Sequence, residues 1–156
     1  MKKITIKLNG EQRTAYVEPN EILLDVLREK LGITSPKRGC DRGDCGACAV
    51  LLNGKSVRSC LVLAIEADNQ EVVTVEGLSK DGLTKVQNSM IDKNAFQCGF
   101  CAPGAIITST ELLNKNPHPT KEEIKEALSG NLCRCTGYIP ILEAVHDASE
   151  HELEEK

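Results

Sequence analysis

The chain carries eight cysteines among 156 residues, and a cysteine thiolate is both a nucleophile and a metal ligand. They fall into two sets of four. Cys40, Cys45, Cys48 and Cys60 follow the spacing C-x4-C-x2-C-x11-C, and Cys98, Cys101, Cys133 and Cys135 follow C-x2-C-x31-C-x-C. In "GNLCRCTGY" two thiols stand one residue apart. On a helix each residue turns by about 100°, which would send Cys133 and Cys135 to nearly opposite faces. On a loop they can converge on one object. The opening "MKKITIKLNG" alternates charged and β-branched residues where a secretion signal needs an unbroken apolar run. The expectation is a cytoplasmic chain, in which this density of cysteine points to metal rather than to disulfides.

The C-x4-C-x2-C portion has the spacing of the plant-type [2Fe–2S] loop, where four thiolates hold two irons bridged by sulfide. In "GCDRGDCGAC", Gly39, Gly43 and Gly46 flank the thiols, so the backbone can wrap closely and aim N–H groups at sulfur. The alternative is a four-cysteine zinc site, which prefers paired C-x2–4-C knuckles. In the second set each pair precedes a helical pattern, "CGFCAPGAII" and "CRCTGYIPIL". Helix N-termini offer unpaired N–H groups and partial positive charge, suited to an anionic thiolate site. Spacing by itself leaves zinc open there too.

The elements that must position these thiols change character midway. "KITIKL" alternates with period two, Asn9-Gly10 signals a turn and "RTAYVE" resumes the strand, giving a hairpin over 3–18. "PNEILLDVLREKLG" predicts a helix capped by Asn20, faced by Leu23, Leu27 and Leu31 and ended by Gly32. "ACAVLLNGKSV" and "EVVTVEG" (71–77) predict further strands. The sum is a β-grasp-like domain. Beyond a linker at 76–82, "LTKVQNSMIDKNAF", "GAIITSTELLNK", "PTKEEIKEALSG" and "YIPILEAVHDASE" predict four helices. Their apolar spacing runs through Leu83, Val86 and Met90, then Ile106, Thr110 and Leu113, then Tyr138, Leu142 and Val145. Thr120 and Glu123 form a capping box in the third, and Pro140 is tolerated in the first turn of the last. The fold class is α+β, with domains at 1–78 and 79–156, and the acidic tail "HELEEK" frays.

Composition excludes several functions. A net charge of −4 argues against nucleic acid, which needs surplus Lys and Arg. No segment approaches the ~20 apolar residues of a membrane span. The chain has no P-loop and no G-x-G-x-x-G after a strand. His118, His146 and His151 read as solvated or packing residues. With two Phe, two Tyr and no Trp, two small aliphatic cores need a further staple.

The chain resembles the iron–sulfur subunit of the molybdenum hydroxylases, the xanthine dehydrogenase, aldehyde oxidoreductase and carbon monoxide dehydrogenase family. The likeness runs from "ITIKLNG" through "LLDVLRE", "GCDRGDCGACAVLLNG", "SCLVLA", "VTVEGL" and "QCGFCAPG" to "GNLCRCTGY". It implies a plant-type ferredoxin-like domain followed by a four-helix bundle, each with one [2Fe–2S] cluster. It assigns Cys40, Cys45, Cys48 and Cys60 to the cluster facing the flavin, and Cys98, Cys101, Cys133 and Cys135 to the one nearest the molybdopterin. Gln97 and Cys135 then face the pterin. Two positions depart from the usual pattern: Ala102 stands where Thr is common, and Arg42 adds a positive charge to the first loop.

The implied function is an electron-transfer subunit of a hetero-oligomeric oxidoreductase. A molybdopterin-binding catalytic subunit and an FAD-binding subunit are its partners, and this chain carries no substrate-transforming residue of its own. A free-standing carrier and a zinc-stabilised interaction module are the competing classes.

Overall fold

The computed structural model describes residues 1–151; of the tail expected to fray, 152–156 lie outside the described residues. The hairpin forms as expected. Strand β1 (Lys2–Leu8) pairs antiparallel with β2 (Glu11–Val17), in register from Lys2 against Val17 to Leu8 against Glu11. The tight turn is made by Asn9 and Gly10 with φ of 51° and 85°, the double left-handed geometry that an Asn-Gly pair accepts.

The following helix departs from expectation. Asn20 does not cap it. The N-cap is Ile22, and α1 (Leu23–Asp25) makes a single turn before widening into a π-helical segment, Val26–Lys30. There Leu31 N–H reaches the carbonyl of Val26, five residues back, at 3.0 Å. The widened turn lets neighbouring residues be buried together, Leu23 and Leu24, then Val26 and Leu27, rather than one residue per turn. Gly32, at φ 72°, ends it.

Strands β3 (Ala49–Leu52) and β4 (Lys55–Arg58) form a second hairpin around Asn53-Gly54. Strand β5 covers only Glu71–Val73, and "VEGL" is instead a short helix, α2 (Val75–Leu78). The first part of the expected 76–82 linker is therefore helical, and 79–82 form a turn and a bend. Asn9 holds its start, accepting from Thr74 N–H at 2.8 Å and donating to Thr74 Oγ1 at 2.9 Å. Glu76 bonds Ser35 across 41 positions. The sheet order is β2-β1-β5-β3-β4, with β1 and β5 parallel and the other pairs antiparallel. Two hairpins joined through a parallel central pair, with a helix laid across one face, make a β-grasp sheet.

Four longer helices follow: α3 (Lys85–Asp92), α4 (Ala102–Lys115), α5 (Lys121–Leu128) and α6 (Ile139–Glu150). Thr84 and Gln87 cap α3 reciprocally, as Thr120 and Glu123 cap α5. Leu83 lies outside α3 and is exposed. In α4 the buried residues are Gly104, Ala105, Ile107, Thr108, Ser109 and Leu113, whereas Ile106 and Thr110 are only partly covered. The reason is that α4 serves two cores. Ala105 and Leu113 pack with Val86, Met90, Ile124 and Val145 inside the bundle. Ile107 packs with Ala49 and Leu51 of the sheet.

Strand β3 is correspondingly buried on both faces. Val50 joins Ile4, Ile6, Leu27 and Val72 in the sheet–helix core, while Ala49 and Leu51 face α4. This accounts for its unbroken apolar run and supplies a staple between two small cores. Among the described residues, no helix is long and apolar enough to cross a membrane.

Candidate metal centres

Both thiol sets assemble, and all eight cysteines are free. In the first, Cys40 and Cys45 lie on an irregular loop that ends at β3, beside buried Cys48 and Cys60. The loop packs against the second side of α1, where Leu24 touches Cys48 and Cys60. Buried Ser59 donates its hydroxyl to the Cys48 carbonyl at 2.7 Å, tying the fourth thiol's neighbour to the third thiol. Glycine is required where the loop closes: a Cβ on Gly39 would lie 2.7 Å from Cys45 Sγ.

The sulfurs sit in contrasting surroundings. The N–H groups of Arg42 and Cys45 point at Cys40 Sγ from 3.5 and 3.4 Å. They lower the Cys40 pKa to about 7, Arg42 contributing most. Burial pushes the Cys60 thiol up to about 11, with the neighbouring Cys48 adding to the effect. The Arg42 side chain turns to solvent and pairs with Asp44 at 2.9 Å. Its backbone, rather than its charge, acts on the sulfur.

In the second set Cys101 is the N-cap of α4, and Cys98 precedes it on the same loop. Cys133 and Cys135 lie on the non-helical link between α5 and α6, as the one-residue spacing demands. Cys135 Sγ lies 3.5 Å from Cys98 Sγ, and Cys133 faces Cys101. Each contact joins one thiol of "CGFC" to one of "CRC". Burial pushes the Cys101 thiol up to about 12. Cys98 is held below the usual thiol value, chiefly by the Phe100 N–H. Burial works to raise Cys133, but the Thr136 hydroxyl and nearby N–H groups outweigh it and lower its value. Gln97, next to Cys98, is exposed on a bend.

Four sulfurs gathered in each set, with a buried thiol in each that is hard to ionise without a compensating cation, Cys60 in one and Cys101 in the other, are a donor set suited to metal. In the bundle set the thiols meet as two pairs, Cys98 with Cys135 and Cys101 with Cys133, the arrangement two bridged irons would use.

The two sets meet through their backbones. Leu132 N–H donates to the Cys45 carbonyl at 2.9 Å. Arg58 donates to the Gly130 carbonyl at 2.9 Å, and Asn131 Nδ2 to the Gly46 carbonyl at 3.4 Å. Gly46 (φ 73°) has no room for a Cβ, which would strike the Gly130 carbonyl, and a Cβ on Gly104 would strike the Gly46 carbonyl. Sequence reasoning missed this joint: Arg58 carries no motif, Asn131 and Leu132 stand in "GNLCRCTGY" only as neighbours of the thiols, and Gly46 reads as room for the backbone to wrap the first thiol set.

Comparison with known proteins bears on both halves. Residues 6–79 match the 2Fe-2S iron-sulfur cluster binding domain, and residues 74–146 match the [2Fe-2S] binding domain. The small FeS subunit of nicotinate dehydrogenase from Eubacterium barkeri is 53% identical over 153 residues, covering 96% of this chain and 98% of that one. The chain belongs to the iron–sulfur subunits of the molybdenum hydroxylases. Solved structures agree. Quinoline 2-oxidoreductase from Pseudomonas putida 86 superposes with a TM-score of 0.92 at 44% identity, covering 96% of this chain and 94% of that chain. The aldehyde oxidoreductase from Desulfovibrio desulfuricans superposes at 0.91 and 44% identity, but the match takes up only 17% of its longer chain. This iron–sulfur subunit is thus a 2Fe-2S electron-transfer subunit of an oxidoreductase complex of the molybdenum hydroxylase type.

Proposed function

We propose that the subunit holds two [2Fe–2S] clusters and relays electrons between a molybdopterin-binding catalytic subunit and an FAD-binding subunit in the cytoplasm. One observation carries this reading: two separate thiol quartets, built on different halves of the chain, are joined by the Leu132–Cys45 hydrogen bond. Cys40, Cys45, Cys48 and Cys60 hold the cluster of residues 1–78, and Cys98, Cys101, Cys133 and Cys135 that of residues 79–156. When bound, each cluster supplies a site for a single electron. The polypeptide fixes the two quartets relative to each other, excludes water from Cys48 and Cys60, and aims N–H groups at Cys40.

The surface supports two partners. Around the second quartet, Phe100, Leu132, Tyr138 and Ile139 are large apolar residues left exposed beside exposed Cys98 and Cys135. Leu61 and Leu63 are exposed next to Cys60. Apolar residues gathered at both thiol sites suit stable protein interfaces, with Gln97 and Cys135 turned toward the pterin and the first quartet toward the flavin.

The test is anaerobic purification with metal, sulfide and spectroscopic analysis. The reading expects about four irons and about four acid-labile sulfides per chain, no stoichiometric zinc, two distinct paramagnetic signals on reduction, and co-purifying molybdenum and flavin chains. A colourless chain with bound zinc overturns it.

A further inference from the structure

The loop "CRCTGY" contains a hydrogen-bonded device that the cluster ligands do not account for. Tyr138 occupies the left-handed region at φ 73°, which a bulky residue rarely adopts and which costs energy unless its surroundings enforce it. Four contacts do so. The Tyr138 N–H donates to Thr136 Oγ1 at 3.2 Å. Its phenol oxygen accepts from the Cys133 N–H at 3.2 Å. Its carbonyl accepts from the N–H groups of Ile141 and Leu142, each at 3.0 Å. The ring and backbone of Tyr138 therefore close over Cys133 and clamp the rotamer of Thr136.

Thr136 Oγ1 in turn lies 3.2 Å from Cys133 Sγ. The direction of that bond follows by elimination. The hydroxyl oxygen already accepts from Tyr138, and a ligating Cys133 is a thiolate without a proton. The only proton available between the two atoms is the threonine's own. Hydrogen bonds to ligand sulfur favour the more negative, reduced cluster. The first quartet's Cys40 receives backbone N–H groups at 3.4 and 3.5 Å, which no side-chain substitution can remove. In the bundle quartet a side-chain hydroxyl joins the N–H groups that approach Cys98 and Cys133.

We propose that Thr136, held by Tyr138, donates its hydroxyl proton to Cys133 and so raises the reduction potential of the bundle cluster relative to the ferredoxin-like one. Thr136 is a tuning residue and Tyr138 its positioning residue. The proposal rests on the two-cluster reading above.

The experiment is a potentiometric titration of the assembled complex, followed by the paramagnetic signal of each cluster separately. Thr136→Val is expected to make reduction of the bundle cluster about tenfold less favourable, a fall of about 59 mV for one electron, with the other cluster unmoved. Thr136→Ser restores the parent value, because it keeps the proton. Tyr138→Phe, which frees the Cys133 N–H but leaves Thr136, shifts the same cluster less than Thr136→Val. Should Thr136→Val fail to assemble, Thr136→Ala removes the same proton without added bulk and carries the same expectation. An unmoved bundle potential, equal shifts of both clusters, or a serine variant as low as the valine one overturns the proposal. Absence of a second signal in the unaltered complex sinks the two-cluster reading instead.

Discussion

Leu132 and Cys45 share one backbone hydrogen bond, the N–H of the first donating to the carbonyl of the second at 2.9 Å. Leu132 directly precedes Cys133, so the shortest bonded link between the two thiol sets crosses from the sheet half to the bundle half at a single contact. The surrounding joint is tightly made, and its parts can be tested one at a time.

Gly46 is the least replaceable residue of the joint. An alanine there would be strained at φ 73° and would drive its Cβ into the Gly130 carbonyl and to 2.7 Å from Asn131 Nδ2. Gly54, at φ 80°, has nothing within 4 Å of its Cβ position. Gly46→Ala is expected to cost about 3 kcal/mol or more, and Gly54→Ala about 1 kcal/mol. The loss of visible cluster absorbance on heating ranks them. A more stable Gly46→Ala than Gly54→Ala contradicts the joint.

Arg58 ties β4 to the bundle through the Gly130 carbonyl. Arg58→Ala removes a charged donor from a partly buried acceptor, a loss of about 1–2 kcal/mol. Limited proteolysis should then cut the 129–132 segment faster than in the parent, and an unchanged rate speaks against the tie.

Cys101 stands at the N-terminal boundary of α4 without a side-chain capping bond, and serine is close to cysteine in size and tolerated at helix starts. Cys101→Ser should therefore keep the bundle folded while removing a ligand. Iron is expected to fall from about four to about two per chain, one paramagnetic signal should vanish and the other persist, and flavin reduction by substrate should stop. Undiminished flavin reduction in that variant rules out the route through the bundle.

Thiol reactivity in the metal-free chain follows the sulfur environments. Cys40, lowered to about 7 by the Arg42 and Cys45 N–H groups, is mostly thiolate at pH 8. Cys60 and Cys101, raised to about 11 and about 12 chiefly by burial, remain thiols there. Alkylation mapped by mass spectrometry should label Cys40 ahead of Cys60 and Cys101, with half-maximal rate near pH 7. Equal rates at all three positions contradict the assigned environments.

Much of the architecture is legible locally. Period-two alternation in "KITIKL", the Asn-Gly turns and the Thr120–Glu123 capping box are short-range signals, each set by the conformational preferences of a few adjacent residues. The misses have equally specific causes. "EVVTVEG" reads as strand throughout, but Asn9 and Ser35, distant in sequence, capture Thr74 and Glu76 and turn the chain into α2. Asn20 looks like a cap, but the helix starts later. There the N–H of Leu23 bonds the Val62 carbonyl at 2.8 Å, and Leu23 and Leu24 are drawn into the interior. One-face periodicity fails for α4 because that helix packs on two cores at once.

By itself, the sequence determined the chemistry: eight thiols in two quartets of characteristic spacing, glycines beside them, and helix starts to receive them, all matters of covalent order. Only the tertiary structure decided how the quartets relate. Which sulfurs face each other, the meeting of Leu132 with Cys45, and the closing of Tyr138 and Thr136 over Cys133 depend on packing between distant or oppositely turned segments. No local preference encodes such packing, because its energy exists only once both sides are in place.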